Sequence, residues 1–334
     1  MITTLHGDNT HILPTLKPKS VQCIVTSPPY FGLRDYGLPP TDWPEVSYTP
    51  LAGVPSVTIP AQSCCLGLEE SPLAFIAHLV YVFRQARAAL ADDGVAWINL
   101  GDSYAQPSKW GGRSGNKNRP NDVNRYPRRR VRPDAGVKDK DLYGMPWRLA
   151  LALQADGWYL RSDVIWDKPN GMCESVDDRP NRIHEYLFLL AKSRQYYYDH
   201  KAIAEPAVAT APRGGGKKLQ HLVTGRGERN DGFAQRWQPS PDGLRNRRSI
   251  WRISSQGTIE GHYATYPEPI PELCILAGSR PGDTVLDMFA GSGTTMRVAE
   301  RLQRHSIGID LNADYIELQQ RRTDGVQVEM VGLR

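Results

Sequence analysis

The chain has 334 residues, of which 40% are hydrophobic and 23% are charged; this composition allows a sizeable core and excludes wholesale disorder. A formal net charge of +5 is, by itself, weak evidence for an anionic partner. The five cysteines form no Cys-x-x-Cys pair, so reduced thiols are expected and no metal site is predicted. The chain shows neither a signal-peptide pattern nor an apolar run long enough to span a membrane, and a cytoplasmic protein is expected.

Short apolar runs alternate with stretches of helical periodicity along most of the chain. Strands are predicted at 21–25, 95–100, 162–166, 185–190, 284–289 and 306–310. Helices are predicted at 71–90 with Ser71 as the N-cap, at 146–155, from about 295 to 304 and at 313–322, and a turn is predicted at Asp93-Gly94. This alternation indicates an α/β fold with a largely parallel sheet.

Basic charge is concentrated in two segments that lack apolar periodicity. Residues 104–140 include eleven basic and three acidic residues, and residues 201–252 include eleven basic and four acidic ones, so the rest of the chain has a net charge of −10. Both segments are rich in glycine, asparagine and proline, which predicts long loops. Aromatic residues among the charges, such as Trp110 and Trp237, offer surfaces on which bases could stack. Solvated loops without a partner are the alternative interpretation.

A glycine-rich loop joins a predicted strand directly to a predicted helix near the end of the chain. Gly291 and Gly293 allow a tight turn and the close approach of a ligand, and open α/β sheets bind ligands at the carboxyl ends of their strands. The loop lacks the spacing of a dinucleotide site and the lysine of a phosphate-binding loop. Asp287 precedes the loop, and Asp310 ends the next strand, where a carboxylate can accept hydrogen bonds from both ribose hydroxyls. The pattern favours a nucleoside cofactor over a plain tight turn.

A second candidate site, Ser27-Pro28-Pro29-Tyr30, follows the first predicted strand. The prolines fix the backbone and remove its donors, so that the Ser27 hydroxyl and the Pro28 carbonyl can act as acceptors beside the ring of Tyr30. This arrangement suits an exocyclic amino group on a base: the ring can stack on the base while the two acceptors hold the hydrogens of the amine. Acceptors that favour a tetrahedral nitrogen expose its lone pair for reaction. A rigid structural turn is the alternative interpretation.

Together these motifs resemble those of the DNA amino-methyltransferases that use S-adenosylmethionine (SAM). Residues 289–293 are similar to the SAM-binding motif of that family and residues 27–30 to its catalytic motif, and the catalytic motif comes first, as in the permuted beta group. His6-Gly7-Asp8 resembles the segment that contacts the cofactor adenine, and residues 262–279 resemble the segment that leads into the SAM motif. The resemblance covers most of the chain except the two basic segments.

The resemblance implies a Rossmann-like, circularly permuted fold with a mostly parallel seven-stranded sheet, a flipped-out base and a target-recognition region. The corresponding divisions are a catalytic part at 1–103, a basic insertion at 104–140 that clamps DNA or helps to recognise it, a continuation at 141–200, a target-recognition region at 201–252 and a SAM-binding part at 253–334. The implied partner is double-stranded DNA, with association to the nucleoid, and members of this group are often homodimers.

Three sets of site residues are expected. The catalytic residues are Ser27, Pro28, Pro29 and Tyr30. The cofactor-binding residues are Asp8, Glu268, Asp287, Phe289, Ala290, Gly291, Ser292, Gly293, Thr294 and Asp310. The DNA-binding residues are Arg128, Arg129, Arg130, Arg132, Arg226, Arg236 and Arg247.

The expected function is site-specific methylation of DNA at adenine N6 or cytosine N4, as in restriction-modification. In the family, Asp at the first motif position points to adenine, whereas Ser has often gone with cytosine N4 and also occurs with adenine, so Ser27 leaves both amines open. Methylation at cytosine C5 is disfavoured, because it needs a cysteine nucleophile, typically after a proline, and no cysteine here follows a proline. The alternatives are a SAM-dependent methyltransferase of RNA or protein and a catalytically idle DNA-binding regulator with the same fold.

Overall fold

The computed structural model describes residues 1–33, 35–105, 137–207, 243–256 and 266–324. Two compact units are present: one comprises residues 1–198 with the chain from 249 onward, and the other comprises Asp199–Arg248. Six of the seven DNA-binding candidates lie outside the described residues: Arg128, Arg129, Arg130, Arg132, Arg226 and Arg236. Within the described ranges, no helix is long and apolar enough to cross a membrane.

One sheet of eight strands forms the centre of the larger unit. From edge to edge, its strands are Ile2–His6, His305–Asp310, Thr284–Asp287, Val21–Thr26, Leu90–Leu100, His184–Ala191, Tyr159–Asp167 and Ile250–Arg252. Neighbouring strands are parallel except at His184–Ala191, which is antiparallel to both of its neighbours. The α/β fold with a mostly parallel sheet is confirmed. In the described residues the sheet has eight strands instead of seven, and neither edge strand, Ile2–His6 or Ile250–Arg252, was predicted from the sequence pattern.

The middle strands place the carboxyl ends of the sheet next to both sequence motifs. Five of the six residues of Val21–Thr26 are buried, as expected of a parallel strand covered on both faces. The chain leaves this strand into the catalytic turn, and it leaves Thr284–Asp287, the neighbouring strand, into the glycine loop. Within the part of the chain that the structure describes, the α-helices are Asn9–Ile12, Pro72–Ala89, Met145–Ala155, Pro269–Gly278, Thr294–Arg301 and Ala313–Thr323.

The helix Pro72–Ala89 begins where its capping residue predicts. The Ser71 hydroxyl accepts hydrogen bonds from the backbone N–H groups of Leu73 (3.1 Å) and Ala74 (3.4 Å). The turn predicted at Asp93-Gly94 is wrong, because both residues belong to the strand Leu90–Leu100. The register of that strand shifts here: Leu90 pairs with Val21, whereas the next paired residue, Val95, lies opposite Cys23. Four residues therefore bulge out of the ladder, which is why their composition resembles a turn.

Two short hairpin ladders between residues 41 and 64 were not predicted. Thr41–Trp43 pairs with Gln62–Cys64, and Val46–Tyr48 pairs with Val57–Ile59, all antiparallel. Strands of three residues are too short to show a period of two, so the sequence carries little signal for them.

This hairpin segment is fastened to the helix Pro72–Ala89 through the buried side chain of His78. The Trp43 ring stacks on the His78 imidazole, with centroids 4.2 Å apart, and His78 Nδ1 lies 2.9 Å from a carboxylate oxygen of the buried Glu69. The ligand-type atoms of Cys64, Glu69 and His78 lie within 4.8 Å of one another. Since His78 Nε2 also contacts the Gln62 side chain, at 3.2 Å, both ring nitrogens have protein partners, as in a packing histidine.

The smaller unit, Asp199–Arg248, contains a two-residue antiparallel ladder. Its Glu205 carboxylate accepts hydrogen bonds from Arg245 (2.9 Å) and Arg248 (2.6 Å). Arg247, the one DNA-binding candidate in the described residues, donates from Nε to the backbone carbonyl of Ile203 at 2.8 Å. The limits of this unit fall within four residues of the expected recognition region at 201–252.

Candidate active site

A cavity of about 450 Å³ lies at the carboxyl ends of the parallel strands. This volume is in the usual range for small-molecule sites. The lining includes all four residues of the predicted catalytic turn and five of the ten predicted cofactor residues, namely Asp8, Phe289, Gly291, Ser292 and Asp310. The fold thus brings two motifs from opposite ends of the chain into one cavity.

Asp310 ends the strand His305–Asp310, the second from one edge of the sheet, and lines this cavity. It accepts hydrogen bonds from the backbone N–H groups of Gly291 (2.7 Å) and Asn312 (2.8 Å). Burial raises the pKa of Asp310 to about 6, although these two hydrogen bonds act in the opposite direction. The carboxylate keeps further lone-pair positions for a ligand that donates hydrogen bonds.

Gly291 occupies the part of the loop where a side chain would enter the cavity. Its φ is +49°, and a Cβ atom built there would meet only the Phe289 carbonyl oxygen, at 4.0 Å. The loop is held from behind: Gln319 donates to the Gly291 carbonyl at 2.9 Å, and Arg322 donates to the Ser292 hydroxyl at 2.5 Å. The glycine therefore serves both the backbone conformation and the open space beside it.

Asp8 is held at the cavity wall by its own helix and by the hairpin segment. One carboxylate oxygen accepts hydrogen bonds from the N–H (2.8 Å) and the hydroxyl (2.7 Å) of Thr10, and the other accepts from the Thr41 hydroxyl at 2.5 Å. Tyr36 and Leu38, which precede the first hairpin strand, also line the cavity. This segment therefore forms one wall of the cavity.

The catalytic turn is organised by the buried side chain of Asn99. The Asn99 Oδ1 atom accepts a hydrogen bond from the Ser27 hydroxyl (3.3 Å) and lies 3.2 Å from the Tyr30 hydroxyl oxygen, while Nδ2 donates to Glu185 (3.0 Å) and to the Tyr186 carbonyl (3.2 Å). Because Ser27 uses its proton on Asn99, its oxygen lone pairs remain to accept from a ligand.

A match to a known family identifies the kind of protein in which this cavity is found. A family model described as DNA methylase matches residues 21–321. The chain belongs to the DNA methylase family.

Curated relatives of this methylase match it over nearly its whole length. The type II methyltransferase M.Cfr9I of Citrobacter freundii is 39% identical over 331 residues, which cover 98% of this chain and 90% of the relative. The type II methyltransferase M.SmaI of Serratia marcescens is 40% identical over 316 residues, which cover 95% of this chain and 88% of the relative.

Solved structures of methyltransferases share the fold. The PvuII DNA methyltransferase (cytosine-N4-specific) superposes with a TM-score of 0.60 at 16% identity, covering 98% of this chain and 88% of its own. TTHA0409 from Thermus thermophilus, complexed with S-adenosyl-L-methionine, superposes with a TM-score of 0.55 at 19% identity, covering 98% and 97%. The predicted class is confirmed: this methylase is a SAM-dependent DNA amino-methyltransferase of the kind found in restriction-modification systems.

Three polar residues of the methylase were missed from the sequence although they border its catalytic turn. Tyr30 donates to Glu185 Oε2 at 2.6 Å, and the Lys168 ammonium is hydrogen-bonded to the other oxygen of that carboxylate. Both Lys168 and Glu185 line the cavity, whereas Asn99 is buried just beneath the turn. Their position was a usable signal, because each stands within two residues of a strand end at this edge of the sheet.

Tyr30 is fixed as a neutral phenol in this methylase. Burial raises the pKa of Tyr30 well above its usual range, and the nearby Glu185 carboxylate raises it further. The ring also packs so closely on Gly101 that a Cβ atom there would lie 2.5 Å from it. The ring face and its orientation, not an exchangeable proton, are what Tyr30 presents to a ligand.

The other five predicted cofactor residues do not line the cavity of the methylase. The buried Asp287 carboxylate accepts hydrogen bonds from Thr26 (2.7 Å), Thr295 (2.5 Å) and Tyr266 (3.2 Å), and burial raises its pKa. These contacts fasten the glycine loop to the neighbouring strand and helix. Glu268 is paired with Arg301 at 3.0 Å.

The three remaining predicted residues shape the loop itself. The Ala290 N–H donates to the Ile309 carbonyl at 3.0 Å, and Thr294 begins the helix that follows the loop. Gly293, with a φ of +80°, lies so close to Gln319 that a Cβ atom would approach its side chain to 3.0 Å. Sequence similarity alone could not separate such residues from those that line the cavity.

Proposed function

We propose that this methyltransferase transfers the methyl group of SAM to the N4 amino group of a cytosine that has been turned out of duplex DNA into the cavity. The observation that carries the proposal is that the Ser27–Tyr30 turn and Asp310 line one cavity. The base must leave the helix because its amine is otherwise enclosed in the stacked duplex.

Asp310, Gly291 and Asp8 would hold SAM at one end of the cavity. The Asp310 carboxylate, which hydrogen bonds from the N–H groups of Gly291 and Asn312 hold in place, would accept hydrogen bonds from the ribose hydroxyls. The open space beside Gly291 admits the cofactor, and Asp8 stands where the family resemblance puts the adenine. When bound, SAM supplies an electrophilic methyl group on a positively charged sulfur.

The base occupies the end formed by Ser27, Pro28 and Tyr30. The Ser27 oxygen and the Pro28 carbonyl accept the two hydrogens of the amine, while the base stacks on the Tyr30 ring. The nitrogen lone pair is then directed at the methyl carbon. With SAM bound, the nitrogen would form its bond to the methyl carbon as the carbon–sulfur bond breaks, which would leave a neutral thioether, and the proton that the nitrogen loses would pass to solvent. Positioning and electrostatics supply the rate enhancement.

Ser27 favours cytosine N4 over adenine N6 as the target. In the family, an aspartate at this position points to adenine, and this chain has a serine. The PvuII methyltransferase, whose fold this chain shares, is described as cytosine-N4-specific. Adenine N6 presents the same two hydrogens and is the second candidate.

Recognition of the DNA site falls to the unit Asp199–Arg248, which is compact by itself and belongs to a segment with eleven basic residues. Arg226, Arg236 and Arg247 of this segment contact DNA. The segment 104–140, with its arginine cluster, grips the phosphate backbone, which positions the protein without reading sequence. A homodimer bound to DNA in the nucleoid is the assembly proposed for the cell.

Nucleoside analysis of methylated DNA tests the proposal. The enzyme is incubated with methyl-labelled SAM and mixed-sequence duplex DNA, and with structured RNA in a parallel reaction. Label in N4-methylcytosine from the duplex is the expected result. Label in N6-methyladenine would overturn the choice of base, label in RNA alone would overturn the substrate, and no transfer at all would support an idle DNA-binding regulator.

A further inference from the structure

Lys168 lines the cavity beside the catalytic turn and has no assigned role. It directly follows the strand Tyr159–Asp167, at the same edge of the sheet as Ser27. Its side chain is 20% exposed, so most of it is held against the protein. A partly buried ammonium in a cavity that receives an uncharged base needs an explanation.

The ammonium is positioned from two sides. One side is hydrogen-bonded to Glu185 Oε1, and the other faces the Trp166 ring, whose centroid lies 4.2 Å from Nζ. The second oxygen of Glu185 accepts from Tyr30 and Asn99. One carboxylate therefore fixes the ammonium relative to the ring on which the base stacks.

The Lys168 ammonium retains hydrogen-bonding capacity. An ammonium has three N–H donors, and Glu185 is the one hydrogen-bond acceptor found for it among the described residues. Part of this remaining capacity faces the cavity, because Lys168 belongs to its lining. A donor at this point can form a hydrogen bond with an acceptor on a ligand in the cavity.

The bases differ in what stands next to the methylated amine. Cytosine has the acceptor N3 beside N4, and the carbonyl O2 beyond it; adenine has the acceptor N1 beside N6. Thymine and guanine carry an N–H at the corresponding ring position, which would oppose a second donor. A fixed ammonium therefore accepts the bases whose amine can be methylated and rejects the other two.

We propose that Lys168 is a specificity residue that donates a hydrogen bond to the ring nitrogen beside the target amine, with Glu185 and Trp166 as its positioning residues. The proposal rests on the proposed function, since it needs a flipped base in this cavity. The bond would also fix the rotation of the base on Tyr30 and so direct the amine toward Ser27 and Pro28.

A thermodynamic cycle between the protein and the base tests this contact. Methylation rates are measured for the wild type and Lys168→Met, each on a duplex with cytosine and on one with 3-deazacytosine at the target position. Relative to the wild type on cytosine, the substitution Lys168→Met alone and 3-deazacytosine alone should each slow methylation about tenfold to a hundredfold, the scale of a hydrogen bond to a charged group. If the contact exists, 3-deazacytosine should slow Lys168→Met at least about tenfold less than it slows the wild type, because the bond is already absent.

Lys192→Met is the matched control. The Lys192 side chain is similarly buried, with 15% exposure, and its ammonium donates to the Leu90 carbonyl. Lys192 directly follows the strand His184–Ala191, so it lies at the opposite end of that strand from Glu185. Its loss should leave the full wild-type sensitivity to 3-deazacytosine. The altered intrinsic reactivity of the deaza base cancels, since it is the same for every variant.

Several results would overturn the assignment. If the rate reductions caused by Lys168→Met and by 3-deazacytosine multiply when the two changes are combined, Lys168 acts only through the structure of the site. If Lys168→Met does not fold, the double variant Lys168→Met/Glu185→Gln, which removes both charges of the pair, takes its place in the same cycle. Methylation of adenine would move the test to 1-deazaadenine, whereas no methylation of any unmodified duplex would contradict the proposed function itself.

Discussion

At the scale of single residues, the cofactor end of the cavity depends on the charge of Asp310. Its pKa of about 6 means that the carboxylate of the free protein is largely protonated at pH 5 and ionised at pH 7. Ribose hydroxyls donate to the ionised form, so SAM affinity should rise through pH 6 and level off above it. The affinity at pH 5 should be about tenfold below the plateau, since about one molecule in ten is then ionised.

Calorimetric titration of SAM between pH 5 and 7 measures this dependence. Asp310→Ala should weaken binding at pH 7 by about 1.5–3 kcal/mol and flatten the profile. Asp314→Asn, which neutralises an exposed carboxylate four residues away, should leave the profile intact. The stability of the free protein should change in the opposite sense: because folding raises this pKa, the contribution of Asp310 falls as pH rises from about 4 to 6.

The second residue-scale prediction separates backbone strain from cavity space. Gly291→Val should lower stability and abolish most SAM binding, because its side chain would enter the cavity. Gly282→Val is the control, since Gly282 also has a positive φ, of +85°, but a Cβ atom there meets nothing within 4 Å and the residue lies outside the cavity. Both variants should lose stability in a urea titration, of the order of 1–3 kcal/mol, but only Gly291→Val should lose SAM affinity. Equal SAM affinities would remove the loop from the cofactor site.

The third residue-scale prediction concerns the end of the cavity that receives the base, where Tyr30 should act through its ring. Tyr30→Ala should lose most turnover while SAM binding is retained, because the ring contacts the base and not the cofactor. Tyr30→Phe should keep much more activity than Tyr30→Ala, since the raised pKa of the hydroxyl gives it no proton to exchange near neutral pH. Single-turnover methylation beside calorimetry measures both quantities. Wild-type turnover in Tyr30→Ala would reduce the catalytic turn to a structural role.

At the scale of elements, the sequence predicted most of what has a long or capped signal and missed the shortest elements. It also missed the strand Ile2–His6 and the helix Pro269–Gly278, whose start has no side-chain cap. The helix Pro72–Ala89 was placed within a residue at each end, because Ser71 and Pro72 mark its start and apolar periodicity marks its body. The hairpin ladders, of three residues per strand, and the edge strand Ile250–Arg252 offer too few positions for a period. These missed elements matter for function, since residues next to a ladder, such as Tyr36 and Leu38, line the cavity.

The candidate site was predictable to the extent that it follows parallel strands. The catalytic turn and Asp310 could be placed together, because the carboxyl ends of parallel strands meet at one edge. Lys168, which directly follows the strand Tyr159–Asp167, could have been placed there by the same reasoning. Glu185 required knowledge that His184–Ala191 is antiparallel and so presents its first residues at that same edge. Asp287 shows the converse limit: the motif includes it, but whether its carboxylate faces a ligand or three neighbouring hydroxyls is decided by packing.

At the scale of the whole molecule, charge separates DNA binding from catalysis. The two basic segments carry net charges of +8 and +7 on a body of −10. Replacing Arg128, Arg129 and Arg130 with Ala should weaken binding equally on cognate and scrambled duplexes and reduce the slope of log affinity against log salt by about one unit for each phosphate that is no longer neutralised. SAM affinity should not change. Fluorescence anisotropy across a salt series measures the slope, and an unchanged slope would assign the cluster to a role other than phosphate binding.

The central claim, that one cavity receives both SAM and a flipped base, is tested most directly by a crystal structure of the enzyme with a SAM analogue and a duplex that contains its site. The predicted result is a cytosine outside the helix, stacked on Tyr30, with its amine within hydrogen-bond distance of the Ser27 oxygen and the Pro28 carbonyl, and with the analogue's ribose on Asp310. A base that stays stacked in the duplex, or a ribose bound away from Asp310, would contradict the account.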